Sequence, residues 1–600
     1  MPEHEHEHEH DEILGRAYDR RLVGRLWGTA RPHRRLILST LGLFPLLAVV
    51  ELAQPYLLKI AIDDHILRGD WVGLQGVAVL FAVVLLALYG LRAVENYLMN
   101  VTGQRVMHDL RRALFAHLTA LDARFFDRNP VGRLMTRVLN DVEAVSDAFT
   151  SGLFAVVADA ITLIAVVAIM LWMDWRLALV TFAIVPVVGV VAAYFRLRAR
   201  DAYRTVRRRL ARLNAFLQES LAGMAVTQLF ACEGGERRRF HALNRDYRRA
   251  LFGSTVFEAM LYATVETLGS VALAILLWYG GRQIVAETLT FGGLVAFIQY
   301  TNRFFLPIRD LGAKYTVMQS AMISAERIFG VLDLAPAIQT PNPARASRAQ
   351  PGVAAITFEH VWFAYEEPHW VLRDCSFQVR AGERVAIVGA TGEGKTTCGR
   401  LVNRSYDVQR GRVLVEGIDV REWELPRLRQ HVGLVFQESV LFTGTVEANL
   451  HLGVDGSSSR AALERAAEAA NARAFIEALP AGWHTELSER GVNISHGERQ
   501  LLAIARALVY NPAILVLDEA TSSIDPESEA LIQAAMSRLL AGRASLTIAH
   551  RLSTIQSADR ILVLHRGRIH EEGTHAELLR SRGLYARFYD LQLGVETSGA

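Results

Sequence analysis

The 600-residue sequence is poor in cysteine and in charged residues. Its three cysteines, Cys232, Cys375 and Cys398, lie far apart in the chain, so no disulfide framework is expected. Charged residues make up 21% and hydrophobic residues 51%, and the mean hydropathy of +0.19 is higher than soluble globular proteins usually show. This composition disfavours a soluble protein and favours one that is embedded in a membrane.

The N-terminal segment lacks the features of a secretory signal peptide. No basic region leads into a short apolar stretch with a small-residue cleavage site, so we expect the first membrane helix to direct the chain to the membrane. Residues 1–20 instead form a tail in which four histidines alternate with glutamates. Such a tract can bind zinc or nickel, but a solvated, disordered tail is the favoured interpretation.

The net positive charge is small, and the arginines are unevenly distributed along the chain. The formal net charge is +3, and arginines crowd the segments 196–212 and 237–249, beside apolar runs rather than in one patch. Nucleic-acid binding proteins also carry arginine clusters, but arginines at the cytoplasmic ends of membrane helices explain this placement better. We therefore expect no nucleic-acid partner.

A segment rich in proline, alanine and polar residues, 333–352, predicts a linker between two halves. We expect a membrane domain at 21–332, where long apolar stretches alternate with long charged helices. In the domain at 353–591, short β-rich runs alternate with amphipathic helices, which is typical of an α/β fold. The predicted fold class is an all-α membrane domain joined to an α/β domain.

Six apolar stretches are long enough to cross about 30 Å of hydrocarbon. The connections between them are alternately very short and long, and the long ones carry most of the arginines. The positive-inside rule therefore places both termini and both long connections in the cytoplasm. The predicted spans are 36–62, 72–98, 153–173, 177–195, 255–279 and 289–311.

Two turns are predicted within the long cytoplasmic connections, at 123–134 and 221–236. In the first, Asn129-Pro130 and Gly132 interrupt the helix, because a proline keeps the preceding residue out of the α region. The mixed aromatic and charged residues of these turns could dock on another domain. The alternative is an ordinary helical hairpin turn.

Four acidic residues lie within or at the edges of the predicted spans, namely Glu51, Asp159, Glu258 and Glu266. An ionisable group in hydrocarbon is costly and marks a site that faces a cavity or a partner helix. A cavity role and plain ion pairing both stay open, and Glu51 and Glu266 are the better candidates for a cavity.

A glycine-rich loop lies between the apolar run 385–388 and a helix that is predicted to begin near Lys395. Strand, loop and helix in this order are the context of a phosphate-binding loop, in which backbone N–H groups surround phosphate oxygens at the positive end of a helix. Lys395 would meet the β and γ phosphates of ATP, and the Thr396 hydroxyl would ligate Mg²⁺. The predicted nucleotide-binding residues are Gly389, Ala390, Thr391, Gly392, Glu393, Gly394, Lys395, Thr396 and Thr397.

Two adjacent carboxylates follow another apolar run, 514–517. Asp518, at the end of a buried parallel strand, would lie beside the phosphate loop and hold Mg²⁺ through water. Glu519 is then placed to act as the base that polarises an attacking water. Two acids after a strand can also cap the next helix, but together with the phosphate loop they indicate ATP hydrolysis.

Seven motifs in one order carry a resemblance to a known family. They are Tyr365, the phosphate loop, Gln437, and then NISHGERQ, LVLDE, TSSID and His550. In this order they resemble the nucleotide-binding domain of ATP-binding-cassette (ABC) transporters, and six spans in front make the chain similar to a half-transporter of the exporter type. The resemblance implies that the α/β domain is a P-loop NTPase of the ABC type.

The resemblance also implies roles for single residues. Tyr365 would stack on adenine, and Gln437 would contact Mg²⁺ and the γ-phosphate and relay their presence to the membrane helices. His550 would hydrogen-bond the γ-phosphate and hold the water that Glu519 polarises. The implied catalytic set is Glu519, His550, Gln437 and Lys395, and the implied metal ligands are Thr396, Gln437 and Asp518.

The signature segment departs from the family pattern. That pattern usually reads LSGGQ, whereas this chain has the sequence ISHGE at 494–498. By resemblance, Ser495, Gly497 and Glu498 would contact an ATP that is held by the phosphate loop of a second nucleotide-binding domain. His496 adds bulk beside those phosphates, so this half-site is expected to be weakened.

Since one signature completes the site of another domain in this family, the resemblance implies pairing with a second half-transporter. A homodimer would have two identical sites, and a heterodimer would have one complete and one weakened site. An intact Glu519 beside an altered signature favours the heterodimer.

The expected function is ATP-driven, multidrug-type export of hydrophobic or amphipathic compounds across the cytoplasmic (inner) membrane. A lipid flippase and a peptide exporter of the same architecture are alternatives. An ATP-gated channel or an assembly factor without net transport would be a different class.

Overall fold

The structure is a computed structural model that describes residues 20–339, 353–435, 440–453, 459–518, 526–549 and 552–593. The His/Glu tail and most of the predicted linker lie outside these ranges. The chain divides into two compact units. A membrane unit comprises Met1–Thr119 and Gly132–Leu334, and an ATPase unit comprises Ala120–Val131 and Ala335–Ala600.

The membrane unit is helical throughout its regular structure in the described residues. Three segments, Ala61–Ile66, Arg137–Asp141 and Ala148–Phe154, have π-helical hydrogen bonding. The α-helices are Arg20–Ala30, Arg34–Ile60, Trp71–Ala120, Val131–Thr136, Val142–Asp147, Ala155–Met173, Trp175–Phe182, Val185–Ala222, Met224–Leu229, Glu233–Val285 and Phe291–Leu332.

Four helical stretches among the described residues are long and apolar enough to cross a membrane: Arg20–Ile66, Trp71–Ala120, Val131–Met173 and Glu233–Val285. They contain four of the six predicted spans. The predicted span 177–195 is interrupted by a turn at Ala183 and Ile184, just before Pro186, and leaves a shorter apolar helix. The span 289–311 falls largely within the long helix Phe291–Leu332, which carries several charged residues. The total of six spans stays a prediction.

Buried side chains join the last helix of the membrane unit to the first membrane helix. Tyr300 is fully buried, and its hydroxyl donates to the Leu52 carbonyl at 2.7 Å. Toward the other end of the same helix pair, the Asp63 carboxylate accepts a hydrogen bond of 2.7 Å from the Gly292 N–H. Polar groups in a membrane must find partners within the protein, so these bonds fix the register of the two helices.

The acidic residues predicted within the spans have different surroundings. Glu51 contacts two arginines: Nη2 of Arg92 lies 3.1 Å from each carboxylate oxygen, and Nη1 of Arg303 lies 3.4 Å from Oε1. Arg303 also donates to the Glu51 carbonyl at 2.6 Å and to Gln54 Oε1 at 2.7 Å. Ion pairing therefore describes Glu51 in this structure.

Asp159 is paired as well, with the Lys314 ammonium group. Glu266 is exposed on the helix Glu233–Val285, and the side chain of Glu258 lies outside the described part of the chain. A cavity role for these acidic residues stays a prediction.

The ATPase unit contains a six-stranded and a four-stranded sheet. The order in the larger sheet is β12-β11-β3-β10-β9-β6, in which the five strands from β11 to β6 are parallel, and the smaller antiparallel sheet has the order β2-β1-β4-β5. The strands are β1 Ile356–Phe363, β2 Leu372–Val379, β3 Arg384–Val388, β4 Arg410–Val415, β5 Ile418–Asp419, β6 Val432–Val435, β7 Gly444–Thr445, β8 Glu486–Leu487, β9 Ile514–Asp518, β10 Ala544–Ile548, β11 Arg560–His565 and β12 Arg568–Gly573.

Continuous apolar runs explain the position of the larger sheet. Strands β3, β9 and β10 are buried along nearly their whole length, as expected for parallel strands that are covered on both faces. The helices of the unit are Ala123–Arg128, Lys395–Val402, Leu425–His431, Val446–Leu450, Arg460–Ala469, Arg473–Ala478, His496–Tyr510, Pro526–Leu540, Leu552–Gln556, His575–Ser581 and Leu584–Leu593. The predicted α/β class is confirmed.

The first predicted turn belongs to the ATPase unit although it is flanked by membrane-unit helices. Its short helix Ala123–Arg128, here called the hairpin helix, begins at Asp122, whose side chain accepts from the Phe125 N–H. Ala123 packs against the main apolar core of the ATPase unit. The hairpin helix thus packs on the rest of the ATPase unit, and the wider docking role of the turn stays a prediction. The second turn forms the helix Met224–Leu229, with Leu229 81% exposed, and its docking stays a prediction.

The arginine pair around Glu51 leads to a stability prediction. Arg303→Met removes the donors to the Glu51 carbonyl and to Gln54, so we expect a loss of about 1 to 3 kcal/mol. Thermal unfolding of the purified protein in detergent measures it. Arg92→Met is the matched control and should cost less, because Arg92 is more exposed and reaches Glu51 through one nitrogen. Equal midpoints for wild type and Arg303→Met would contradict the prediction.

Candidate functional site

Four neighbouring parallel strands end at one edge of the larger sheet, in the order β3, β10, β9, β6. Ligands of open parallel sheets bind outside the carboxyl ends of the strands. The phosphate loop begins at Gly389, directly after β3, and Asp518 is the last residue of β9. Gln437, Glu519 and His550 follow the ends of β6, β9 and β10 in the sequence, but they lie outside the described residues.

The phosphate loop ends in a left-handed residue that starts the next helix. Gly394 has φ of +100° and caps the helix Lys395–Val402, here called the loop helix. A Cβ on Gly394 would lie 2.9 Å from the Leu372 side chain, so the conformation and the space both require glycine. The Thr396 side chain is exposed at the first turn of the helix, whereas Thr397 is buried.

Lys395 lies folded across the loop that precedes it. Its ammonium group donates to the Gly389 and Ala390 carbonyls, both at 2.8 Å, and the residue is 6% exposed. Burial lowers the pKa of Lys395, while the charges of Asp518 and Glu393 oppose that change. A buried cation that donates to carbonyl groups can exchange them for phosphate oxygens, so the loop fits a phosphate ligand.

Tyr365 is joined to the loop helix. Its hydroxyl lies 3.2 Å from Thr397 Oγ1, and its ring packs edge to face on Phe363 and on Tyr406, at centroid distances of 4.9 and 5.1 Å. Tyr365 is partly buried, beside the phosphate loop. The structure thus brings the predicted adenine-stacking ring and the predicted phosphate site together.

The hairpin helix contacts the same cluster. The hydroxyl of Tyr406 donates to the Asp127 carboxylate, and Nη1 of Arg400 lies 3.6 Å from that carboxylate. Burial raises the pKa of Tyr406, and the hydrogen bond to Asp127 raises it further, so the phenol stays protonated as the donor. Arg128, the next residue of the hairpin helix, pairs with Glu366 at 3.1 Å. Sequence reasoning missed Tyr406 and Arg400, because no local pattern marks residues that meet a partner almost 280 positions away.

The signature segment begins a second helix, His496–Tyr510, with a capping box. Ser495 Oγ accepts from the Glu498 N–H at 3.2 Å, and the Glu498 carboxylate accepts from the Ser495 N–H at 2.7 Å. Ser495 and His496 are exposed, and Gly497 is buried with its Cα facing Ser528. The helix thus presents its N-terminus to solvent, and contact of these residues with a nucleotide stays a prediction.

The predicted magnesium ligands supply oxygen atoms and only one charged group. The Thr396 hydroxyl is exposed, and the Asp518 carboxylate stands at the end of β9. Within the described ranges no group of three or more His, Cys, Asp or Glu side chains could hold a metal ion. Mg²⁺ bound to ATP takes most of its ligands from phosphate and water, with one or two from protein, so this donor set fits it.

Comparisons with known proteins match both units. A model of the ABC transporter transmembrane region matches residues 37–308, and a model of the ABC transporter family matches residues 372–522. A putative multidrug export ATP-binding/permease protein of Bacillus subtilis (strain 168) is 35% identical over 94% of this chain and 98% of its own. An ATP-dependent lipid A-core flippase of Syntrophus aciditrophicus (strain SB) is 35% identical over 96% of this chain and 95% of its own.

A solved structure agrees with this match. It is described as a bacterial Atm1-family ABC exporter with ATP bound, and it is 31% identical with a TM-score of 0.77 over 94% of this chain and 99% of that one. The resemblance predicted from the seven motifs is confirmed, as are ATP binding and a multi-pass membrane location. The chain belongs to the ABC transporters, as an ATP-hydrolysing half-transporter of the exporter type.

Proposed function

We propose that this chain is one half of a multidrug-type efflux pump that moves hydrophobic or amphipathic compounds out across the cytoplasmic membrane. The observation that carries the proposal is the docking of the hairpin helix on the ATPase unit, beside Tyr365 and the phosphate loop. A segment that continues into a membrane helix is thereby held next to the adenine site. The relative named for multidrug export supports this cargo class.

A lipid flippase is the second candidate. It has support from the relative named as a lipid A-core flippase, which is as similar to this chain as the multidrug relative is. Lipids and amphipathic drugs share an apolar body with a polar end, so one cavity chemistry serves both. The nucleotide-binding domain and both termini are proposed to be cytoplasmic, because arginines concentrate in the long connections.

Different residues of the predicted site have different roles in ATP hydrolysis. Backbone N–H groups of Gly389–Gly394 and the Lys395 ammonium hold the triphosphate, and the Tyr365 ring stacks on the base. Glu519 polarises the attacking water, and His550 and Gln437 orient it and report the γ-phosphate. Thr396, Asp518 and Gln437 would hold Mg²⁺, which neutralises phosphate charge when bound.

ATP-dependent uptake into inside-out vesicles tests the proposal. We expect the wild-type complex to accumulate labelled amphipathic drugs, and Glu519→Gln to bind ATP but to lose about 100-fold or more of the hydrolysis rate and the uptake with it. Glu577→Gln, an exposed change in the cap of another helix, is the matched control. Uptake of labelled lipid alone would favour the flippase, and near-normal hydrolysis by Glu519→Gln would exclude that residue as the base.

The hairpin contact leads to a coupling prediction. Asp127→Asn keeps the size of the side chain but removes the charge that faces Tyr406 and Arg400. Basal ATPase activity should stay within about twofold, while drug-stimulated ATPase activity falls by about fivefold or more, since a coupling free energy is lost. Arg128→Gln is the control, because its pair with Glu366 is exposed and contributes little. Unchanged stimulation in Asp127→Asn would show that transmission takes another route.

The partner is proposed to be a different half-transporter. His496 occupies the signature position where the family has glycine, and it is exposed at the start of its helix, so it would project toward the partner's ATP. A second chain with an intact signature would supply one complete site. Native mass spectrometry of the complex isolated from its host should show two different subunits. A dimer of 66.7 kDa chains alone would refute the heterodimer.

A further inference from the structure

The phosphate loop carries a negatively charged side chain, that of Glu393, in the stretch that is proposed to bind a triphosphate. Glu393 lies between Gly392 and Gly394. Two like charges repel each other more strongly in a partly buried site than in water, because the effective dielectric constant is lower there. A carboxylate that turned toward the phosphates would therefore weaken ATP binding.

The structure shows the Glu393 carboxylate turned to the tight turn between β11 and β12, residues His565–Arg568, here called the β11–β12 turn. Oε2 accepts a hydrogen bond from the Arg566 N–H, and Oε1 lies 3.3 Å from Nδ1 of His565. The Glu393 side chain is only 17% exposed. Both of its oxygens are thus engaged by neighbouring residues of one turn.

The position of the turn follows from the sheet. Strand β11 pairs in parallel with β3, so both end beside the start of the phosphate loop, and a Cβ on Gly389 would lie only 2.4 Å from the Leu564 carbonyl oxygen. Arg566 and Gly567 both have positive φ, of 50° and 76°, as the two central residues of a two-residue hairpin turn often do. The backbone of the turn is thereby fixed against the loop, with the Arg566 N–H free of the β11–β12 ladder to reach Glu393.

We propose that His565 is a positioning residue for ATP, which together with the Arg566 N–H holds the Glu393 carboxylate away from the bound phosphates and so sets the affinity for ATP. Lys395 of the loop helix and Asp518 of β9 are charged groups of the same site, and the charges of Asp518 and Glu393 both act on Lys395. Neither contacts the β11–β12 turn among the described contacts, so Glu393 is the charge that the turn controls. The inference rests on the proposed binding of the triphosphate by this loop.

A double-mutant cycle on the full-length complex tests the proposal. His565→Phe keeps a ring but removes the nitrogen that faces Glu393. We expect the KM for ATP to rise about fivefold with kcat within about twofold, because the released carboxylate acts on binding and not on the chemical step. In the background of Glu393→Ala, the same His565→Phe change should leave the KM unaltered, since no carboxylate is left to hold.

His570→Phe is the matched control, because this ring lies 6.1 Å from His565 on the same hairpin and has no described contact with Glu393. It should leave the KM for ATP unchanged, and thermal unfolding should show that all variants fold. An equal rise of the KM for His565→Phe with and without Glu393, or no rise in either, would overturn the proposal. If the wild-type complex bound no ATP at all, the proposed function of the loop would fail instead, and this outcome is distinguishable from a wild type that binds ATP but is insensitive to His565.

Discussion

The ATPase unit must bind the negatively charged phosphates of ATP at the edge of a buried sheet. This requirement explains where the charged and polar groups of the unit lie. The central strands are covered on both faces, so polar ligands reach them only at the carboxyl ends. By our proposal the chain meets the charge there mainly with backbone N–H groups, which need no desolvated side chains. The single buried cation, among the described residues of the loop, is Lys395, and its carbonyl partners hold it close to where phosphate oxygens would replace them. The Glu393 carboxylate is the other charged group of the loop, and it is held by the β11–β12 turn.

The strand, loop and helix around the phosphate loop could be predicted from sequence because their residues are close together in the chain. Gly389, Gly394 and Lys395 lie within seven positions, and their roles follow from a strand before them and a helix after them. Asp518 could be placed because a continuous apolar run identified the strand that ends with it. Tertiary contacts could not be predicted in this way. Tyr406 contacts Asp127 because the fold places the hairpin helix beside the core of the ATPase unit. A tyrosine in a polar loop carries no local signal of such a partner.

In the membrane unit, too, contacts between residues that are distant in the sequence could not be predicted. Hydropathy identified four helical stretches that are long enough to cross a membrane among the described residues, since burial in lipid demands apolar residues along the whole length. It could mark Glu51 as unusual but could not choose between a cavity and an ion pair, because that depends on which helix faces it. Two arginines from different helices pair with Glu51 in this structure, and one of them also donates to the backbone carbonyl of Glu51 itself. Charge in this unit therefore serves to fix helices to each other.

The helix Trp71–Ala120 runs directly into the hairpin, and its 50 residues form one uninterrupted element. At a rise of 1.5 Å per residue it is about 75 Å long, more than twice the thickness of the hydrocarbon layer. A helix of this length cannot lie within the hydrocarbon layer along its whole length, so part of it extends beyond that layer. A tilt of about 10° at one end moves the other by about 13 Å, on the same geometry. The displacement expected at one end of this helix for a small change of tilt at the other is therefore comparable to the size of a drug molecule.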